Sequence, residues 1–232
     1  MMLNSLILDT ETHALNGLPI EIAYVSVQLD MLGLSLDDSN IYDEYFSLDD
    51  DTPIQLSSMA IHHILPQDLQ GKVNFRQFRL PQQTVYLIGH NIDYDIQAIA
   101  RCGQDVRHIK AICTLALARD LWPHLDSHSL STLSYFISED YAATREQLRN
   151  AHNAKTDILL TARLLQKIIE HYQIHDIEQL YQQSQRARRP RFMPFGKYRG
   201  TALTELPLDY AQWLLRQNDL DAYLREALEQ LF

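Results

Sequence analysis

The sequence predicts an α/β fold: a mixed sheet flanked by helices, with a small mainly helical unit at the C-terminal end. Three observations lead there. Apolar segments of strand length occur at 4–8 and 20–27, joined by a turn through Gly17 and Pro19 that suits an antiparallel pair. The order of elements then becomes strand–helix, which lays helices over a sheet. The clearest helix, 155–172, carries Leu159, Leu160, Leu164, Leu165, Ile168 and Ile169 at near-helical spacing, so one face is apolar.

The elements follow in order. Residues 4–8 form a buried strand ending at Asp9, 20–27 a second strand and 41–47 a third. Pro53 and the apolar Leu56, Met59 and Ile61 predict a short helix. A fourth strand, 84–89, ends in Gly89, and 93–102 continues as a helix. Further helices are expected over 114–121, 129–136 and 155–172. The composition then turns polar and basic up to Pro190. Residues 179–191 read as a linker between a first domain, 1–178, and an accessory domain, 192–232. Tyr210, Trp213, Leu214, Leu220, Tyr223, Leu224, Leu228 and Leu231 give that last unit its apolar surface. A unit this small is marginal alone, so it is expected to dock on the first domain, on a second copy as a homodimer, or on another protein.

Composition narrows the classes. The 232 residues are 46% hydrophobic, enough for a buried core. No apolar stretch approaches the roughly 20 residues of a membrane-spanning helix. The first residues lack the basic region and apolar run of a secretory signal, so a cytoplasmic location is expected. Cys102 and Cys113 match no compact metal motif and read as buried free thiols. The net charge of −10 does not suggest a nucleic-acid binder, but its distribution is uneven. Arg186, Arg188, Arg189, Arg191, Lys197 and Arg199 follow one another with no acid between them. They form either a nucleic-acid tether or a solvated linker.

Three acidic signals carry chemistry. Asp9 and Glu11 lie two apart at the end of an apolar strand, so their side chains share a face. Alone, such a pair is also what a surface turn looks like. Gly89-His90-Asn91-Ile92-Asp93-Tyr94-Asp95 follows a strand and opens a helix. There Asp93 suits a helix-terminal position, while Asp95 lies deeper and can face the first pair. His152 enters the amphipathic helix that carries Asp157 on its first turns.

In this order and spacing, the segments resemble the three motifs of the DnaQ-like, or DEDDh, 3′→5′ exonucleases, closest to the exodeoxyribonuclease X branch. Ala60-Ile61-His62-His63-Ile64 and Leu117-Ala118-Arg119-Asp120-Leu121-Trp122-Pro123 add to the likeness, which covers roughly 3–172. The resemblance implies a ribonuclease-H-like mixed five-stranded sheet. It also implies two divalent metal ions held by Asp9, Glu11, Asp95 and Asp157, with His152 as general base. Oxygen ligands favour Mg²⁺ or Mn²⁺. Thr10, Thr12, Leu15, Ile61, His62, Asn91 and Tyr94 fall on its substrate side, and Glu21 has a family-like place without an assigned catalytic part. The implied reaction is release of 5′-mononucleotides from single-stranded DNA or DNA 3′ ends in repair or end processing. RNA is the alternative polymer, because the motifs do not read the 2′ position. A noncatalytic nucleic-acid-binding module is the alternative class; it would bind yet give no metal-dependent product.

Phe195-Gly196-Lys197-Tyr198-Arg199-Gly200, followed by Leu206-Pro207, Tyr210 and Trp213-Leu214, resembles a small domain described as a quorum-sensing-regulated virulence factor. Its two glycines let the backbone turn around basic and aromatic side chains. These either meet a nucleic-acid strand or pack within the turn.

Overall fold

The computed structural model describes residues 5–149, 151–217 and 220–232. Asn4, the expected first residue of the first strand, lies outside them. Among the described residues, six strands make one mixed sheet. Its centre is β1 (Ser5–Thr12), apolar on both faces until Asp9. The chain turns back into β2 (Pro19–Asp30), which pairs antiparallel with β1; β3 (Gly33–Leu36) and β4 (Tyr42–Tyr45) then pair with the far edge of β2. After α1 (Leu56–His62), β5 (Tyr86–Gly89) and β6 (Lys110–Cys113) extend the other side in parallel, with α2 (Ile92–Arg101) crossing between them. The helices α3 (Thr114–Leu121), α4 (Leu130–Phe136), α5 (Tyr141–Leu148), α6 (Ala154–Tyr172) and α7 (Ile177–Ala187) follow. This is the expected ribonuclease-H-like α/β arrangement, with six strands in place of five. The sequence marks no strand at β3 or β6.

Both faces of the sheet are covered. Ile7, Val25, Ile88 and Ile112 pack beneath α3, α6 and α7. Leu6, Leu8, Ile22 and Leu87 pack on the other side against Ile92 and Ile99 of α2 and against Phe46, Phe75 and Phe78. Burying one such side chain fully is worth about 1.5–3 kcal/mol, so Leu6, Ile7 and Leu8 anchor β1 between the two layers. Cys102 and Cys113 are buried and unbridged, as expected. No helix among the described residues is long and apolar enough to cross a membrane.

The expected linker at 179–191 is corrected by α7, which extends to Ala187 and buries Leu180, Ser184 and Ala187. Its polar side chains have a structural task. Ser184 Oγ accepts the Cys113 N–H (2.9 Å), and Gln185 Nε2 donates to the Ala111 carbonyl (3.0 Å). Both partners are backbone groups of β6, the sheet edge, which α7 therefore covers. Beyond it, α8 (Leu208–Leu215) and α9 (Ala222–Glu229) close a separate small core around Met193, Leu203, Leu206, Leu214, Leu224 and Leu228. This unit docks on the sheet domain through the Arg191–Asp120 pair (2.6 Å) and through His124 against Phe192.

Candidate active site

The end of β1 presents Asp9 and Glu11, and two helix starts converge on it. α2 begins after Asn91, whose left-handed backbone (φ 72°) turns the chain out of β5. Asp95, buried on this helix, is tied to β1: its Oδ1 accepts both the Thr10 N–H (2.9 Å) and the Thr10 hydroxyl (2.8 Å). Tyr94 adds a second tie. The Thr12 hydroxyl donates to the Ala14 carbonyl, so the Tyr94 hydroxyl is left to donate to Thr12 Oγ1.

α6 begins at Asn153, which caps the helix by accepting the Thr156 N–H (3.2 Å). The residue before it, His152, is also left-handed (φ 65°). Its N–H donates to Asp157 Oδ2 (3.3 Å), so the histidine and the aspartate are held together. Ligand atoms of Glu11, His152 and Asp157 lie within 4.8 Å of one another. Asn91 and His152, two of the five non-glycine residues with positive φ among the described residues, each lead into a helix that carries a carboxylate of this site. Such strain costs of order 1–3 kcal/mol per residue and tends to gather at functional sites.

A fifth carboxylate belongs here. Glu21 stands directly opposite Glu11 in the β1–β2 register and is almost fully buried. Its Oε1 accepts from Asn153 Nδ2 (2.6 Å) and its Oε2 from the Ala154 N–H (3.3 Å). The sequence signal for it was an acid inside an apolar strand. The assignment of a structural task needed the partner loop, which lies far along the chain.

The electrostatics follow from crowding. Burial, then Asp95, Asp157, Glu11 and Glu21, push the Asp9 carboxyl well above the usual carboxylate range. Burial first and neighbouring carboxylates next push Glu11 up to about 9. Burial likewise raises Glu21 to about 8, Asp95 to about 7 and Asp157 to about 6, all three partly offset by hydrogen-bond donors. Among the described residues none of the five forms an ion pair with lysine or arginine. A set of oxygen donors in this condition fits hard divalent cations, whose charge removes the mutual repulsion.

The other expected residues divide into two groups. Thr10, Thr12 and Tyr94 lie behind the carboxylates and hold β1 to α2. Leu15 and Ile61 are 81% and 51% exposed, unusual for such side chains, in segments that touch where the Gln55 N–H meets the His13 carbonyl. His62 is buried, its Nδ1 accepting the Ile64 N–H (3.0 Å), while its Nε2 has no partner. Asn91 is exposed at the mouth. Asp93 sits on the first turn of α2, as expected, and pairs with Arg188.

That pair changes the reading of the basic tail. Arg188 is only 4% exposed and is held by Asp93 and by the Tyr223 hydroxyl (2.9 Å). It is thus part of the junction and is withdrawn from any tether. Arg189 pairs with Glu226 and Arg191 with Asp120, both at the surface. Arg186, Lys197 and Arg199 are exposed and form no ion pair among the described residues.

Comparison with known proteins agrees with this picture. Exodeoxyribonuclease 10 of Escherichia coli K12 is 27% identical over 221 residues, covering 93% of this chain and 91% of its own. A PolC-type DNA polymerase III of Listeria innocua is 28% identical over 182 residues, covering 74% of this chain and 12% of the polymerase. The structure of exonuclease X in complex with 5′ overhanging duplex DNA superposes with a TM-score of 0.57 at 23% identity, covering 78% of this chain and 99% of that one. E. coli exonuclease I in complex with a dT13 oligonucleotide gives 0.54 at 20% identity, covering 71% and 40%. Residues 187–231 match the family model described as "Putative quorum-sensing-regulated virulence factor". Sequence likeness over nearly the whole chain and a shared fold therefore make this protein a homologue of exodeoxyribonuclease 10.

Proposed function

We propose that the protein is a metal-dependent 3′→5′ exonuclease that shortens DNA from its 3′ ends and releases 5′-mononucleotides. The observation that carries this reading is the convergence of Asp9, Glu11, Asp95 and Asp157 beside His152. Homology to a protein named as an exodeoxyribonuclease supports DNA as the polymer.

Asp9, Glu11, Asp95 and Asp157 would hold two divalent cations, Mg²⁺ or Mn²⁺. Once bound, the cations supply positive charge against the phosphate and the leaving oxygen. His152 removes a proton from the attacking water as the new P–O bond forms and the bond to the 3′ oxygen breaks. Its exposed position lets it pass that proton to solvent. Asp157 fixes the His152 backbone, and Glu21 fixes the two residues that follow it. Leu15 and Ile61 offer apolar surface to the last bases, with His62 behind them and Asn91 on the α2 side. Thr10, Thr12 and Tyr94 serve the substrate by positioning Asp95.

A panel of 5′-labelled and 3′-labelled DNA and RNA, with Mg²⁺, Mn²⁺ or chelator, tests the proposal. A 5′ label should stay on a shrinking ladder, while a 3′ label should leave at once as mononucleotide. Cutting of circular single-stranded DNA, or an unchanged ladder with metal present, would overturn it.

A further inference from the structure

The docked tail creates a cleft of about 470 Å³ that touches the catalytic motifs only at His90. One wall is the sheet domain, with His90, Arg119 and His128. The other is the tail turn, with Phe195 and Arg199. Arg119 and Arg199 form no ion pair among the described residues, whereas the neighbouring Arg188 and Arg191 are each neutralised by an aspartate. Asp126 is the acid on the lining, so the two arginines leave the cleft net positive. Their field is felt locally: besides burial, both guanidiniums hold the His128 imidazole below its usual range.

The walls are also rigid. The His90 Nε2–H donates to the His128 carbonyl (2.9 Å), and His128 Nε2–H to the Trp122 carbonyl (2.9 Å). On the tail side, Gly196 and Gly200 take positive φ (72° and 75°), and the Gly200 N–H closes the turn on the Met193 carbonyl (2.8 Å). That turn presents Phe195 on the cleft with 44% of its surface exposed. The cleft continues into a second space of about 310 Å³ lined by Asn91 and Asp93. Those residues open α2, the helix whose next residues, Tyr94 and Asp95, touch the catalytic edge.

We propose that this cleft holds the substrate strand on the 5′ side of the scissile bond, with Arg119 and Arg199 on its phosphates and Phe195 stacked on a base. Two cations beside one exposed aromatic ring are what sequence-independent single-strand binding requires. The inference rests on reading the chain as a nuclease acting on strand ends, and it adds a second site outside the metal centre. It also gives the tail a specific part: the tail builds one wall of the binding cleft.

The test measures binding of dT20 and dT3 in chelator by the full chain, its Arg119→Ala/Arg199→Ala double variant and its Phe195→Ala variant. Arg107→Ala/Arg145→Ala serves as a charge control at residues that line neither space. The double variant should bind dT20 about tenfold more weakly, with less than a twofold loss for dT3. Its salt dependence should be shallower by about 1.4, since two phosphate contacts on a single strand contribute about 0.7 each. Phe195→Ala should weaken dT20 about fivefold or more, the cost of one lost stack. Equal losses for dT3 and dT20, no loss, or the same loss in the control would overturn the proposal. A loss confined to duplex with a 5′ overhang would assign the cleft to the complementary strand and overturn it as well. If the wild-type chain released no nucleotides from dT20 with Mg²⁺ while the length-dependent binding held, the nuclease reading alone would fail.

Discussion

Two parts of the molecule concentrate charge, and they treat it in opposite ways. At the end of β1 five carboxylates share one site without an arginine or lysine partner among the described residues. At the junction with the tail, Arg188 meets Asp93, Arg189 meets Glu226 and Arg191 meets Asp120. The junction is a place where the chain holds itself together. At the carboxylate site burial and the neighbouring acids raise the proton affinity of each carboxyl, and no basic side chain among the described residues offsets them. In the sequence both are simply clusters of charged residues; the difference lies in what each cluster faces.

The contrast can be broken most directly at Asp157. Asp157→Asn should lower metal-dependent nucleotide release by about a thousandfold or more. The same change should leave the metal-free protein as stable or more so, because it removes repulsion. Single-turnover rates and a thermal melt together test this; a large drop in melting temperature would move Asp157 to the structural side. Asp93→Ala should behave in the opposite way. It strands the buried Arg188, and stability should fall by about 2 kcal/mol, measured by denaturant unfolding.

Glu21→Gln sharpens the comparison, since Glu21 is acidic yet engaged in internal bonds. It should keep the Asn153 bond, lose the Ala154 bond because the amide nitrogen accepts nothing, and lower kcat about tenfold with KM little changed. An equal rise in KM would show that the loop serves binding.

The smallest expected effect is that of pH on the metal-free chain. The carboxyls of Glu11, Glu21, Asp95 and Asp157 keep their protons to higher pH when folded than when unfolded. The folded state then binds more protons between about pH 4 and 9, so stability falls as pH rises through that window. The melting temperature should drop by a few degrees between about pH 5 and 8, and Mg²⁺ or Mn²⁺ should restore it. A flat profile would mean that the carboxylates are relieved from within the chain.

Much of this was legible beforehand, for physical reasons. β1, β2 and α6 carry strong apolar periodicity, and Asp9, Glu11, Asp95 and Asp157 sit at ends of such elements, where direction can be argued. β3 and β6 were not legible because Gly33-Leu34-Ser35-Leu36 and Lys110-Ala111-Ile112-Cys113 lack the longer β-branched and aromatic runs that mark the equally short β4 and β5. α7 was hidden because its polar side chains satisfy the backbone of a sheet edge, so their composition reads as a linker. The engagement of Arg188 depended on Asp93 and Tyr223, both remote in sequence. No local pattern separates a buried arginine from five exposed basic neighbours.

The covering of β6 by α7 decides how this molecule can be taken apart. Cutting the gene where the polar stretch begins would remove Ser184 and Gln185 and leave the Cys113 N–H and Ala111 carbonyl open. A bare strand margin recruits whatever strand it meets, a second copy of the same chain included, so such a fragment is set to self-associate. A shortened catalytic fragment therefore has to retain Ala187, and the natural place to part it from the tail is the Arg189-Pro190 bond. A protease or a cloning scheme that respects that margin should recover a monodisperse sheet domain; one guided by composition should recover aggregate.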